Sequence, residues 1–210
     1  MASWNERKIT NEHLLPYVEA DKASPEVAAA LNTLPFQRNI FKLLANAPVQ
    51  FPLFMKLLAS CWSPNNALRA SEYQLIVLRT AATLNAPYEW DVNEPVARVL
   101  GYSDEQFAAL RDASKPLPAE LFTARKRLLA RLVEEVNANN IVSVDTLREA
   151  KALLGDQVVT EAFFLNGVYG FLARFMNSAR IDFDEPIPGL EDTLRKFNAA
   201  AIEKEKTYVD

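Results

Sequence analysis

Three consecutive residues, Tyr88, Glu89 and Trp90, place a carboxyl group between two aromatic side chains near the middle of the chain. Burial beside aromatic rings removes water from a carboxyl group and raises its pKa, which suits it to proton transfer near neutral pH. Asn93 follows Glu89 by four residues, so on a helix both side chains lie on one face. An amide does not titrate. Acid–base chemistry therefore falls to Glu89, with Asn93 orienting it and Tyr88 as a weak acid or oxyanion donor.

Pro95 gives Asn93 a second interpretation. Because proline has no N–H, it removes the helical hydrogen bond to the Asp91 carbonyl, so the helix is either kinked here or begins later. Asn93, Glu94 and Pro95 together are also typical of a helix start, with asparagine as the N-cap. In that interpretation Asn93 does not contact a substrate, and the sequence leaves both alternatives open.

Several other polar and aromatic residues lie on predicted helices, and the role of each has two interpretations. Glu72 and Arg79 are seven residues apart on one helix face, which suits either a buried ion pair or a substrate clamp. Arg174 flanks a stripe of small and polar residues that suits either a helix crossing between subunits or a pocket whose arginine binds a carboxylate or phenolate. Trp62 is expected in the core or in an apolar pocket wall. The candidate substrate-binding residues are Trp90, Tyr169, Arg174, Arg79 and Trp62.

The cysteine and histidine counts exclude several kinds of site. Cys61 is the only cysteine, so the chain cannot form an internal disulfide, a dithiol redox pair or a cysteine-rich zinc site. His13 is the only histidine, and its place near the N-terminus predicts an exposed residue that at most reaches a neighbouring subunit. We therefore expect no metal and no cofactor, and a reduced cysteine in a small buried position.

The net charge and the hydropathy of the chain indicate which kinds of partner it can bind. The net charge is −4 and the charges are interspersed, so no basic surface for nucleic acid is expected. No segment reaches the roughly 18 apolar residues that a membrane span requires, and the N-terminal residues do not resemble a secretion signal. These features predict a cytoplasmic protein that binds a small organic molecule and neither nucleic acid nor membrane.

Helical periodicity and 12 prolines against 5 glycines predict an all-α fold, an antiparallel bundle of helices. Ser24, Ser71 and Ser103 are the expected N-caps, the last with Gln106 in a capping box, and Gly101 is expected just beyond a helix end. The predicted helices begin at 25 and span 36–45, 51–62, 72–84, 89–100, 103–113, 119–137, 143–154, 157–178 and 190–206. The predicted organisation is an N-terminal arm at 1–23, a helical domain at 24–180, and a linker with an amphipathic helix at 181–210.

An ordered set of short motifs resembles the carboxymuconolactone decarboxylase and alkyl hydroperoxidase D-like superfamily, in particular its Tyr-Glu-Trp branch. The resemblance extends from Asn39 to Asn177, about two thirds of the chain. The residues that carry it are Asn39-Ile40-Phe41, Leu44-Ala45, Pro48, Glu72, Leu75, Leu78, Arg79, Tyr88-Glu89-Trp90, Ala97, Gly101, Ser103-Asp104-Glu105, and Gly167 with Tyr169.

The resemblance implies an AhpD-like helical bundle that assembles as a dimer, trimer or hexamer, with a pocket near the glutamate-bearing helix. Redox members of the superfamily use a cysteine pair, which this chain lacks, so reduction of peroxides by a dithiol is excluded. In the Tyr-Glu-Trp branch a histidine stands four residues after the glutamate, and this chain has Asn93 there.

Together these observations predict a cofactor-independent lyase or isomerase. Its expected substrate is an enolisable oxygenated acid, a lactone or a polyketide-like metabolite of specialised biosynthesis. Proton transfer by Glu89 would drive a decarboxylation, dehydration, isomerisation or cyclisation. The alternative is a non-catalytic relative that binds a small molecule or serves as a scaffold.

Overall fold

A computed structural model describes residues 10–208, which form eleven α-helices and no β-strand. The predicted all-α class is confirmed for these residues, and the first nine residues of the predicted arm lie outside them. A short 3-10 turn at Ala20–Lys22 precedes the first helix. The helices are α1 Pro25–Leu31, α2 Asn39–Leu44, α3 Gln50–Ser60, α4 Ala70–Thr83, α5 Pro87–Val99, α6 Asp104–Arg111, α7 Ala124–Asn139, α8 Val144–Leu154, α9 Asp156–Ala179, α10 Leu190–Phe197 and α11 Ala199–Glu205.

Several helix ends follow the local signals of the sequence. The Ser24 hydroxyl accepts a hydrogen bond from the Val27 N–H at the start of α1. Ser103 and Gln106 form the predicted capping box of α6, in which each side chain accepts from the backbone N–H of the other residue. Gly101, two residues after the end of α5, has a φ of 96°. A left-handed backbone of this kind costs glycine little and other residues more.

Four predicted helix starts differ by two or more residues from the structure. Helix α2 begins at Asn39 instead of 36 and α5 at Pro87 instead of 89, and the starts of α4 and α7 also differ. Helix α4 begins before Ser71, because Arg69 adopts the extended backbone of an N-cap and its N–H donates to Glu72 Oε2 at 3.1 Å. Helix α7 begins five residues later than predicted, since the N–H groups of Leu121 and Phe122 both donate to the Pro118 carbonyl in a turn. The Thr123 hydroxyl then caps α7.

The predicted C-terminal amphipathic helix is divided into two. Helix α10 ends at Phe197 and α11 begins at Ala199, with Asn198 between them. The Asn198 side-chain amide donates to the Leu194 carbonyl at 2.8 Å, as asparagine commonly does where it competes with helical hydrogen bonding.

The described chain divides into two compact units. The first comprises residues 10–64 and 175–188, and the second comprises 65–174 and 189–208. Helix α9 contributes residues to both. No observation bears on the predicted boundaries at 23/24 and 180/181, so they stay a prediction.

In the first unit, the segment after α9 is held by buried carboxylates. Asp182 Oδ1 accepts from the backbone N–H groups of Thr10 and Asn11, and Oδ2 lies 3.0 Å from His13 Nδ1. Asp184, also buried, pairs with Arg38 at 2.9 Å. The expectation that His13 is simply exposed is therefore wrong, because its ring is bound to a buried carboxylate.

In the second unit, α4 is buried on all sides, and every residue from Ser71 to Ala82 is buried. Helices α5, α6 and α7 pack against it. Such a helix is typical of the centre of a domain, where apolar side chains are needed on every face. Three residues separate α4 from α5, so these two helices form a hairpin that carries most candidate residues.

No helix within residues 10–208 has both the length and the apolar character that crossing a bilayer requires.

Gly101 and Gly167 form a matched pair for testing how a positive φ affects stability. A Cβ added at either position meets no atom within 4 Å, but only Gly101 has a positive φ. We expect Gly101→Ala to lower the free energy of unfolding by about 1–2 kcal/mol. Gly167→Ala, within α9, should raise it by about 0.5–1 kcal/mol. Chemical denaturation measures both, and equal effects of the two substitutions would contradict the backbone explanation.

Candidate active site

Glu89 lies in the first turn of α5 and is 2% exposed. Neither carboxyl oxygen has a hydrogen-bond partner within the described part of the chain. Desolvation by burial raises the pKa of Glu89 well above its usual value. Burial therefore favours the neutral form of this carboxyl group, because ionising it would bury an unpaired charge.

Asn93 lies inside α5, so its interpretation as a helix cap is wrong. The helix begins at Pro87 and continues through Pro95, which also excludes the later helix start. The Asn93 side-chain amide donates to the backbone carbonyl of Glu89 at 2.8 Å. Asn93 thus bonds the backbone of the residue it was expected to orient, and its amide N–H is directed to that carbonyl rather than to the carboxyl group.

The two aromatic neighbours of Glu89 are both buried, Tyr88 at 3% and Trp90 at 2% exposure. The Trp90 indole N–H donates to Glu94 Oε2 at 2.5 Å. The Arg111 guanidinium lies over the Trp90 ring, 4.6 Å from its centre, and donates to the same carboxylate oxygen. Trp90 therefore has a polar partner of its own, and its contacts are those of a core tryptophan.

Arg79 is completely buried and its guanidinium is occupied by protein groups. Nε donates to Glu134 Oε1 on α7 at 2.7 Å, and Nη2 lies 2.6 Å from the same oxygen. The other donors reach backbone carbonyls at the end of α6 and beyond it, those of Ala109, Leu110, Asp112 and Lys115. These bonds favour the ion-pair alternative over the substrate clamp.

The partner of Arg79 is not Glu72, although both lie on α4. Glu72 accepts from Arg125 Nε at 2.8 Å, with 1% of its side chain exposed. Each of the two residues thus pairs with a charge on α7 rather than with the other. The expected buried ion pairing between helices therefore occurs, but with partners on α7. Residue spacing could not identify these partners, because it does not show which helix packs against α4.

Tyr169 and Arg174, both on α9, have contacts within the second unit. The hydroxyl groups of Tyr169 and Tyr73 lie 2.8 Å apart, and both residues are buried. Arg174 is exposed, and its Nη1 donates to the Gly170 carbonyl at 2.9 Å. Trp62 belongs to the first unit, follows the end of α3 and is 39% exposed, so the expectation that it lies in the core is wrong. No observation tests whether these residues bind a substrate.

Two features of α4 escaped the sequence analysis. Tyr73 forms the hydroxyl pair with Tyr169, and Gln74 is completely buried with neither amide atom hydrogen-bonded within residues 10–208. The sequence does contain a signal for Gln74. It is the one amide side chain in the run Tyr73–Leu78, whose only other polar side-chain group is the tyrosine hydroxyl.

No cluster of three or more histidine, cysteine, aspartate or glutamate side chains suited to a metal ion occurs among residues 10–208. The expectation that the chain uses no cofactor stays a prediction.

The raised pKa of Glu89 predicts a particular pH dependence of stability. Since the folded chain holds this proton more tightly than the unfolded chain, the contribution of Glu89 is fully present below the usual value of 4.5 and is lost as the pH rises towards the raised pKa. We expect the free energy of unfolding of the wild type to fall relative to Glu89→Gln by up to roughly 1.4 kcal/mol per pH unit in that interval. Urea denaturation as a function of pH measures this difference, and a difference that does not change with pH would show that Glu89 is not desolvated.

The occupied guanidinium of Arg79 predicts a large loss of stability on its removal. Arg79→Met leaves Glu134 and four carbonyls without their donor, and we expect it to lower the free energy of unfolding by about 3–5 kcal/mol. Arg148→Met removes a guanidinium that is 76% exposed and should change it by less than about 0.5 kcal/mol. If thermal and chemical denaturation gave similar values for both variants, the structural role of Arg79 would be wrong.

The chain matches no protein-family model and no curated protein. The structure establishes an all-helical architecture for residues 10–208. The resemblance to the carboxymuconolactone decarboxylase superfamily, and the residue roles that it implies, stay predictions.

Proposed function

We propose that the chain is a cofactor-independent lyase or isomerase in which Glu89 transfers the proton. Its substrate is an enolisable oxygenated acid, a lactone or a polyketide-like metabolite, consistent with a role in specialised-metabolite biosynthesis. The fold is proposed to be AhpD-like and the assembly a cytoplasmic homo-oligomer, as the resemblance to carboxymuconolactone decarboxylases implies.

One observation carries the proposal, the complete burial of the Glu89 carboxyl group without a hydrogen-bond partner in residues 10–208. An unpaired buried polar group destabilises a folded protein by about 1–3 kcal/mol. Strongly perturbed carboxyl groups are concentrated at sites of proton transfer, where this cost is offset by a function. The polar side chains of Asn93 and Glu94, which follow Glu89 on α5, are by contrast bonded to protein groups.

This carboxyl group is suited to donating a proton to the substrate and then recovering one. The neutral acid protonates a carbon or oxygen of the substrate, and the carboxylate that remains is a strong base because it is desolvated. In an isomerisation, that carboxylate removes a proton from another carbon, so Glu89 ends protonated. In a decarboxylation, the electron pair of the broken carbon–carbon bond forms an enolate, Glu89 protonates it, and solvent returns the proton.

The contacts of the other candidate residues fit the non-catalytic alternative as well as the catalytic one. The Asn93 amide is bonded to a backbone carbonyl, the Arg174 guanidinium to another, and the Arg79 guanidinium to Glu134. Such groups serve a scaffold or a binding protein equally well. The alternative predicts a bound small molecule that is released chemically unchanged.

Incubation of metabolite extracts in D₂O distinguishes the two functions. In a decarboxylation the solvent restores the Glu89 proton, so the product loses carbon dioxide and gains deuterium. A dehydrated metabolite loses water, and an isomerised metabolite changes retention at constant formula, whether or not the recycled proton has exchanged with D₂O. We expect mass spectrometry to find such a product with the wild type and at least about 100-fold less of it with Glu89→Gln. Glu105→Gln makes the same chemical change at an exposed position of α6 and should leave turnover intact.

Equal turnover by wild type and Glu89→Gln would exclude proton transfer by Glu89. An unaltered small molecule that co-purifies with both proteins, without any product, would support the binding alternative instead.

A further inference from the structure

The second unit also contains a cavity of about 340 Å³, which is lined by residues of α7, of α8 and of the segment before α7, and not by Glu89. This volume is at the lower end of the range for small-molecule sites. Part of its wall is apolar, formed by Pro116, Leu117, Leu128 and Leu153. The rest is formed by charged side chains of the two helices.

Four charged residues line the cavity, two arginines and two glutamates. Arg131 is paired with Glu149, and Glu134 is paired with the buried Arg79. Arg127 is the remaining charge, and its guanidinium has no hydrogen bond or ion pair within the described part of the chain. The pairing therefore leaves one positive charge uncompensated at the cavity.

A second donor at this cavity also has no partner. Arg131 Nε is inaccessible to solvent and makes no hydrogen bond within residues 10–208, while the other end of the guanidinium binds Glu149. Arg127 and Arg131 are four residues apart on α7, so their side chains share one face of the helix. An unbonded buried N–H is unfavourable in a folded protein unless another group supplies an acceptor.

We propose that this cavity binds an amphipathic monocarboxylate. The carboxylate accepts from the Arg127 guanidinium, which offers the planar pair of donors that carboxylates bind. The hydrocarbon portion packs against Leu117, Leu128 and Leu153. One uncompensated charge beside an apolar wall suits a ligand with a single negative charge and a short apolar body.

Titration of the full-length, ¹⁵N-labelled chain with hexanoate tests the proposal by NMR. Hexanoate should shift the amide resonances of Leu117, Leu128 and Leu153. Hexan-1-ol, which lacks the charge, and acetate, which lacks the hydrocarbon, should each bind at least about tenfold more weakly.

Arg127→Gln should weaken hexanoate binding by at least about tenfold, because it removes a charge-assisted hydrogen bond. Arg148→Gln makes the same change on the exposed side of α8 and should bind hexanoate as the wild type does. Glu89→Gln should also retain full affinity, so the failure of this proposal is distinguishable from failure of the proposed catalysis.

Three results would each overturn the proposal. These are equal affinity for hexanoate and hexan-1-ol, equal affinity of Arg127→Gln and wild type, or resonance shifts that leave Leu117, Leu128 and Leu153 unaffected. The resonance shifts are mapped on the wild-type chain, so they test the location of the site even if Arg127→Gln does not fold.

Discussion

Helix α4 is buried along almost its whole length, and this constraint determines how the second unit is built. A helix without a solvent-facing side must pair its charged side chains internally, because an unpaired buried charge is strongly destabilising. Glu72 and Arg79 therefore pair with Arg125 and Glu134 of α7. Arg79 also binds carbonyls at the end of α6 and in the segment after it, so one side chain holds both the helix packing and a loop in place.

Glu89 is the exception to this pairing. It lies on the neighbouring helix α5, equally buried, yet neither carboxyl oxygen is bonded within the described residues. Arg79 and Glu72 illustrate how the chain satisfies buried charge, whereas desolvation raises the pKa of Glu89 and favours its neutral form. The unpaired burial of Glu89 is unfavourable for stability, and this is the reason for the catalytic role proposed above.

The sequence predicted those features that depend on neighbouring residues. The caps at Ser24 and Ser103 and the glycine after α5 follow from short local patterns, as do the all-helical class and the burial of Glu89 between two aromatic residues. The start of α4 was missed because Arg69 rather than Ser71 is the N-cap, and its N–H donates to the Glu72 carboxylate. The helix-cap interpretation of Asn93 was wrong because α5 continues through Pro95, and the Asn93 amide donates to a carbonyl inside that helix.

Partners that are distant in sequence could not be predicted. Spacing showed that Glu72 and Arg79 share a face, but only the fold shows that α7 supplies Arg125 and Glu134. The hydroxyl pair of Tyr73 and Tyr169 joins residues 96 positions apart, and no local pattern indicates it. The cavity at Arg127 likewise depends on α8 packing beside α7.

The protonation state of Glu89 is the central claim, and ¹³C NMR of its side-chain carboxyl carbon tests it directly. The Glu89→Gln variant identifies the resonance by its disappearance from the spectrum. We predict that the resonance stays at the position of a protonated carboxyl group through neutral pH, because burial opposes ionisation. A resonance that titrates near the usual value of 4.5 would show a hydrated, ionised carboxylate and would contradict the account.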